Sequence, residues 1–539
     1  MKRSTRSSRS KLGHAWLHGP GALLLLGLLA AAYASPVASR VLAVMRGVAN
    51  SGLQVQNLDL LERATMLVDM YPRAGRGPIT IQRPGVGPGW AANVYVPAEA
   101  TVRNGIYSAI VRSDRETIPL VRTDWGNSGA ATLYEGARPG QELLVPLFKG
   151  YRLPASGASG AAAALHDSII DVQNTDTSRS AGPIEARLEL RDPSGLALTR
   201  WTRQIEPGSS IGIDVAQEPA LRTLPDGFAG SLRVSADTPL DAGVSIDVTS
   251  WERAAAASQV RPSWHAAHRL HAPLVASGAL RSWIVVLNTG DRPVELELSY
   301  RRNVDASGDA CGEGVMRHGD RAWSIDAGGL AIFAQGPGGG SGLPEGCVAS
   351  ATLLADAPLS AYVLVEDEAM GTAGAYLAAS DDEARPRVHL PLFRNRHTRA
   401  ELSTAIQVMN PGAEDVDLRL RVYGSDGAEI PCPSCQASLP PGSARLWYPP
   451  EMEDFRAHTN TYGAVQVEAT GPVLAVVSDA SATGVIDTAI YRGLAAAEPE
   501  AEADLNAPRY APIVVRGAVV RAPHRIYLPD VKQLGGSAP

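Results

Sequence analysis

Cys432 and Cys435 sit in Pro431-Cys-Pro-Ser-Cys, a spacing used by redox dithiols and by half of a structural zinc site. A redox pair needs a helix start to lower a thiol pKa. Here the Pro440-Pro441-Gly442 turn follows, with no helical pattern, so a loop disulfide is expected. His265, His268 and His271, beside Trp264, offer imidazoles suited to zinc or copper. On a helix the third would face away from the first; on a strand the middle one would. A polar joint between domains is therefore the plainer expectation for them. Acids recur near strand ends at Asp124, Asp247, Glu366 with Asp367, and Asp479, followed by Asn127, Ser481 and Asp487. Calcium takes oxygen ligands from such loops, and it is the one bound ion these residues suggest; solvated strand ends are the alternative. Trp201, Trp283, Trp323 and Trp447, with Tyr95 and Tyr448, fall in strand-like stretches. Exposed, they would stack on sugars; buried, they would be core. No Gly-x-Ser-x-Gly elbow lies between strand and helix. Gly336–Gly342 lacks the following helix and Lys-Ser/Thr of a phosphate loop. Asp381-Asp382-Glu383 falls in a joint, where a solvated charge run is the default. No catalytic residue is assigned, and no cofactor beyond calcium.

The elements that would position these residues repeat four times. A short strand ends in asparagine at Asn57, Asn174, Asn288 and Asn410. Apolar residues precede each at two and four positions: Val55 and Leu53, Val172 and Ile170, Val286 and Ile284, Val408 and Ile406. Further on, a proline opens another apolar strand at Pro119, Pro239, Pro358 and Pro472. Repeats of this kind set the architecture before any local reading does.

Within the repeats the alternation has a period of two. Ala186, Leu188 and Leu190 alternate with Glu185, Arg187, Glu189 and Arg191. Val416, Leu418, Leu420 and Val422 alternate with Asp417, Arg419 and Arg421, and Val294 to Tyr300 follows the same rule. One face of each sheet is thus buried and the other wet. Pro88-Gly89, Pro207-Gly208 and Pro441-Gly442 are turns by their chemistry. About seven short strands per repeat, with no capped amphipathic helix, indicate antiparallel β-sandwiches.

The boundaries are residues 35–136, 143–257, 270–381 and 388–494, joined by short links that suggest a rod-like array. Residues 495–507 carry Glu498, Glu500, Glu502 and Asp504 among alanines, as a solvated linker would. Within residues 508–539, Ala511–Val515 copies the first strand of a repeat, either as a partial repeat or as a strand that docks elsewhere. Residues 1–34 have the form of an export signal: Lys2, Arg3, Arg6, Arg9 and Lys11, an apolar run from Gly21 to Ala32, then Ala32-Tyr33-Ala34. An uncleaved anchor is the alternative, and Val41–Val48 would serve as the first strand of repeat one. Each cysteine pair, Cys311 with Cys347 and Cys432 with Cys435, falls inside one repeat, as disulfides of an exported protein would. The net charge of −7 gives no electrostatic footing for nucleic acid.

The order of proline-led strand, Asn-ended strand, alternating strand, Pro-Gly turn and two further strands resembles tandem immunoglobulin-like domains of secreted bacterial surface proteins. The resemblance implies four tandem immunoglobulin-like sandwiches after an N-terminal signal segment. It also implies a non-enzymatic structural or adhesive role at the cell surface or outside the cell. The partners expected are a cell-envelope protein or polysaccharide, a membrane only through an uncleaved N-terminal segment, and a further copy of the chain through the C-terminal strand. A carbohydrate- or protein-binding array is the alternative reading. A metal-dependent or redox protein using the Cys-Pro-Ser-Cys pair or the histidines is a second.

Overall fold

The computed structural model describes residues 49–518, except 60, 74–76, 126–130, 136–138, 154–164, 179–181, 249–254, 260–265, 306–310, 312–314, 318–321, 336–342, 368–370, 482–488 and 496–508. The N-terminal segment, Val41–Val48, the acidic linker, His265 and the Gly336–Gly342 run lie outside the described residues. Among the described residues, no helix is long and apolar enough to cross a membrane.

The protein is all-β. Unit 1 contains β1 (Ala49–Asn57), β2 (Ala64–Pro72), β3 (Ile79–Val86), β4 (Ala91–Tyr95), β5 (Gly105–Ser113), β6 (Thr117–Trp125) and β7 (Ala131–Glu135). Unit 2 contains β8 (Gly140–Lys149), β9 (Tyr151–Arg152), β10 (Leu165–Asn174), β11 (Ile184–Arg191), β12 (Ala197–Ile205), β13 (Ser210–Asp214), β14 (Phe228–Val248) and β15 (Ala255–Gln259). Unit 3 contains β16 (Ala267–Ala276), β17 (Leu280–Asn288), β18 (Val294–Arg302), β19 (Val315–Arg317), β20 (Trp323–Ile325), β21 (Leu330–Ala334), β22 (Val348–Asp367), β23 (Thr372–Leu377) and β24 (Ala379–Ser380). Unit 4 contains β25 (Arg385–Asn395), β26 (Leu402–Met409), β27 (Val416–Gly424), β28 (Glu429–Ile430), β29 (Gln436–Leu439), β30 (Ala444–Trp447), β31 (Thr461–Ser481), β32 (Ala489–Arg492) and β33 (Leu494–Ala495). Finally, β34 spans Arg509–Ala518.

Each of units 2 to 4 is a two-sheet sandwich sharing one long strand. That strand, β14, β22 or β31, runs 20 or 21 residues. Its first half pairs with β8, β16 or β25 on one side and with β11, β18 or β27 on the other. Its second half moves to the other sheet, pairing with β10, β17 or β26 and with β15, β23 or β32. Pro239, Pro358 and Pro472 stand near the crossing between sheets. A residue without an N–H suits the point where one ladder ends and the next begins. In unit 1 the strand is broken into β5 and β6. Glu116 holds the place of the prolines there, because Asn57 lies opposite Thr117, whereas Asn174 and Asn288 lie opposite Leu240 and Leu359. Pro119 is therefore inside β6 rather than at its start. The alternating strands behave as their pattern demands: β18 and β27 bury every second residue through Tyr300 and Val422.

The units form a closed ring, which corrects the rod-like expectation. The last hairpin strands meet at its centre: β7 touches β15 and β32, β15 touches β23, and β23 touches β32. Apolar cores run across three of the joints. Trp283, Tyr362 and Leu364 of unit 3 join the core of unit 2; Val476 and Ile490 of unit 4 join that of unit 3; Leu120 and Leu133 of unit 1 join that of unit 4. Sandwiches that share cores in this way cannot extend into a spacer.

Unit 1 is completed from the other end of the chain. β34 lies between β5 and β1 in the sheet order β3-β2-β5-β34-β1-β6-β7. Its pairing with β5 slips between Ala511 and Val514, around Pro512. The first strands of units 3 and 4 slip in the same way around Pro273 and Pro391. β34 thus holds the place that Val41–Val48 was expected to fill.

Candidate functional site at the joints between units

The repeated asparagine builds one local device four times. Its backbone N–H donates to Trp90, Ser209, Gly329 or Ser443, the residue closing a tight turn. Those turns are Gly87–Trp90, Glu206–Ser209, Asp326–Gly329 and Pro440–Ser443, each closed by a backbone bond of 2.9–3.1 Å. Their third residues, Gly89, Gly208, Gly328 and Gly442, have φ of 71°, 71°, 68° and 71°. That is the type II position that glycine takes without strain, and proline precedes it in three of the four turns. The asparagine side chain holds the turn from behind. Asn288 Nδ2 donates to the carbonyls of Arg292, Ile325 and Asp326, while its Oδ1 accepts from Gly290. Asn410 does the same with Glu414, Leu439 and Gly412.

Each turn thus fixed meets the preceding unit. Ser108, Ser231 and Ser350 donate their hydroxyls to the carbonyls of Gly208, Gly328 and Gly442, at 2.6, 3.2 and 2.6 Å. At the joint between units 4 and 1, Trp90 lies against the Gly424–Gly427 turn, and a Cβ on Gly427 would overlap its indole. Gln54 Nε2 donates across that joint to Gly463, at 3.2 Å. The four joints are therefore variants of one contact, which is why the chain closes on itself.

Charge distinguishes the joints. Between units 1 and 2, Arg73 pairs with buried Asp171. Burial, more than Arg73, governs Asp171 and pushes its carboxyl above the ordinary range. Between units 2 and 3, His166 Nε2 meets Glu366 Oε1 at 2.5 Å, and Nδ1 lies 3.1 Å from the Tyr151 carbonyl. Burial alone would depress this imidazole. The Glu366 carboxylate and the carbonyl outweigh it and hold the pKa above 6.5. Between units 4 and 1, Arg122 and Arg394 both reach Asp479 Oδ2, at 2.5 and 2.7 Å. Nearby, the Arg492 backbone N–H donates to Glu135, and the Arg492 guanidinium pairs with Glu383 at 2.8 Å. Burial raises the Glu135 carboxyl despite Arg492. Between units 3 and 4 most polar contacts are neutral, and the charged groups go to backbone: Asp305 Oδ2 accepts from the Leu446 N–H at 3.2 Å and Arg269 donates to the Pro411 carbonyl at 3.5 Å. Val304 N–H donates to Ala444 at 2.8 Å, and Gln407 Nε2 donates to Pro273 at 2.5 Å and to Asn303 Oδ1 at 3.1 Å.

The candidate residues are dispersed by this architecture. Asp124, Asp247 and Glu366 lie opposite Asn50, Asp167 and Arg281, each seven residues before the repeated asparagine; Asp479 lies opposite Thr404, six before Asn410. A one-residue offset puts a side chain on the other face, so the four acids are not one repeated position. Asp124 pairs with Arg122 at 2.8 Å, Glu366 and Asp479 are engaged as above, and Asp367 is half-buried. Among the described residues, no three His, Cys, Asp or Glu side chains converge as a metal site. His271 is not a joint residue free to ligate: it is buried in β16, with Nε2 on Asp381 at 2.7 Å and Nδ1 on Thr352 at 3.2 Å. That bond outweighs burial, which acts the other way, and holds the Asp381 carboxyl below the ordinary range. His268 is exposed. Cys311 is bonded to Cys347 and Cys432 to Cys435, so neither pair presents thiols. Trp283 and Trp447 are core, while Trp201 and Tyr448 are half-buried. Tyr95, Trp323 and Tyr462, at 55%, 44% and 37% exposure, are the exposed large aromatics among the described residues, and each belongs to a different unit. Sequence reasoning missed Arg122, Glu135, His166, Arg394 and Arg492. None repeats from unit to unit, so the repeat pattern carries no trace of them.

No family model and no curated protein matches the chain. Solved structures similar to it include the major pilin of Streptococcus pyogenes and two of its point mutants, at 9%, 8% and 9% identity. Each alignment covers 54% of this chain and 99% of the pilin, with TM-scores of 0.13, 0.13 and 0.12. At that level the likeness carries no argument about function.

Proposed function

We propose that this chain is an exported, non-enzymatic structural or interaction protein of the cell envelope, acting as a rigid four-unit block. The observation that supports this is where the reactive groups go. The carboxylates, guanidiniums and imidazole of three joints are spent on one another, in pairs such as Asp479 with Arg122 and His166 with Glu366. Buried ion pairs of this kind favour one arrangement over its alternatives more than they favour chemistry. Two disulfides within units suit an oxidising compartment. The block presents hairpins such as β11–β12 to solvent, where attachment or adhesion would occur. The test is affinity capture of the tagged full chain from intact envelope and from cytosol of the producing cell. Selective recovery with envelope components supports the reading; equal recovery from both sinks it. A sugar-binding array is disfavoured by the separation of Tyr95, Trp323 and Tyr462. Glycan-array retention that is lost in the Y95A/W323A/Y462A variant would revive it.

A further inference from the structure

β34 stands where units 2, 3 and 4 use a strand directly preceding their own Asn-ended strand. In unit 3, Ala276 of β16 is followed within a few residues by Leu280 of β17. In unit 1 the equivalent strand arrives from the far end of the chain. It satisfies two neighbours: Tyr510 and Ala511 lie opposite Ile110 and Ala109 of β5, and Arg516 and Ala518 lie opposite Asn50 and Ala49 of β1. Without it, both strands would show unpaired N–H and C=O groups at an open slot, the usual template for an added strand. Thirteen residues, 496–508, connect Ala495 of β33 to Arg509. Extended, a chain of that length reaches roughly 45 Å, enough to enter a neighbouring molecule as well as its own.

We propose that this slot exchanges strands between copies: Arg509–Ala518 of one molecule fills the gap between β1 and β5 of another. The occupant is a second copy because its strand carries the matching register slip at Pro512, and the slot accepts that slip between Tyr107 and Ala109. Closure within one chain and closure between chains make the same hydrogen bonds. The choice between them is set by concentration, as in other terminal-strand swaps.

The test places cysteines at register partners in the full chain, A109C/A511C, which has no other free thiol among the described residues. Equal amounts of ¹⁵N-labelled and unlabelled protein are mixed under conditions that reduce the new pair. The mixture is incubated dilute or concentrated, oxidised, digested and weighed. Exchange predicts cross-linked peptides of mixed isotope, rising with concentration toward about half of the total for random pairing. It also predicts covalent dimers and larger species on a non-reducing gel. Cross-links of single isotope at every concentration would overturn the proposal, and so would failure of the pair to cross-link at all. A second measurement adds an excess of a synthetic peptide of residues 509–518 to the full A109C/A511C chain before oxidation. A cross-link that falls as peptide rises supports exchange, and an undiminished cross-link refutes it.

Discussion

The joint between units 4 and 1 and the joint between units 3 and 4 share one geometry and differ in what fills it. In the first, a buried carboxylate, Asp479, is shared by Arg122 and Arg394. In the second, a hydroxyl, a backbone amide and the Gln407 amide make neutral hydrogen bonds, with Val476 and Ile490 packed into unit 3. The turn held by the repeated asparagine supplies the fit in both cases. Ring geometry is therefore a property of the repeat, while charge is a local addition. A charged joint is unforgiving of a single loss, because one buried ion without its partner costs more than one missing neutral bond.

The largest expected effect is on the charged side. D479A leaves Arg394 without a carboxylate and Arg122 with Asp124 alone, and should cost about 3–5 kcal/mol in chemical denaturation. A loss below about 1 kcal/mol would show that the charges contribute little and would erase the contrast. Next, N288A removes the support of a turn common to both kinds of joint, stripping partners from three carbonyls and an amide. It should cost about 2–3 kcal/mol. N174A should cost less, since the Asn174 amide holds one turn carbonyl, that of Ile205, where Asn288 holds two and the Arg292 carbonyl besides. On the neutral side, S350A removes one hydrogen bond to Gly442 and should cost about 0.5–1.5 kcal/mol, with no dependence on salt. A salt-dependent S350A effect would mean that the two joints are coupled.

The smallest effects are slopes with pH, and two histidines should give opposite signs. His166 has a folded pKa above 6.5, so its contribution is complete below pH 6.5 and is lost as pH rises through the folded value. His389 is buried, with neither ring nitrogen bonded, and burial, with Arg387 nearby, depresses it to about 4. Its contribution is present above pH 6.5 and is lost as pH falls toward about 4. H166Q should flatten the alkaline slope and H389L the acid one, leucine being what unit 2 carries at that place as Leu144. Denaturation midpoints across roughly pH 4 to 9 would check both. An unchanged profile in either variant refutes the assignment for that residue.

Much of the sandwich was legible in the chain because its signals are local. Alternation at Val416–Val422, turns at Pro207-Gly208 and Pro441-Gly442, and asparagines at fixed places all act within a few residues of themselves. The cysteine partners could be read too, since each pair lies within one repeat. The ring was not legible. A turn such as Pro88-Gly89 looks the same whether its outer side meets water or Gly427, and the contact joins residues more than three hundred apart in sequence. The acids were visible as a pattern but misleading as a site. Spacing counted along the chain did not show that Asp479 is offset by one from Glu366, and register decides which face each occupies. Proline misled at Pro119 for the same reason.

A sheet whose middle strand lies beyond unit 4 in the chain imposes a timetable. As synthesis proceeds, unit 1 emerges before the other three units yet cannot mature until Arg509–Ala518 has been made. It must wait as a gapped intermediate while its three successors complete themselves. Of the four units, the first to be made is the last to be finished, and any interruption of translation before residue 509 leaves that copy with an unsealed first unit.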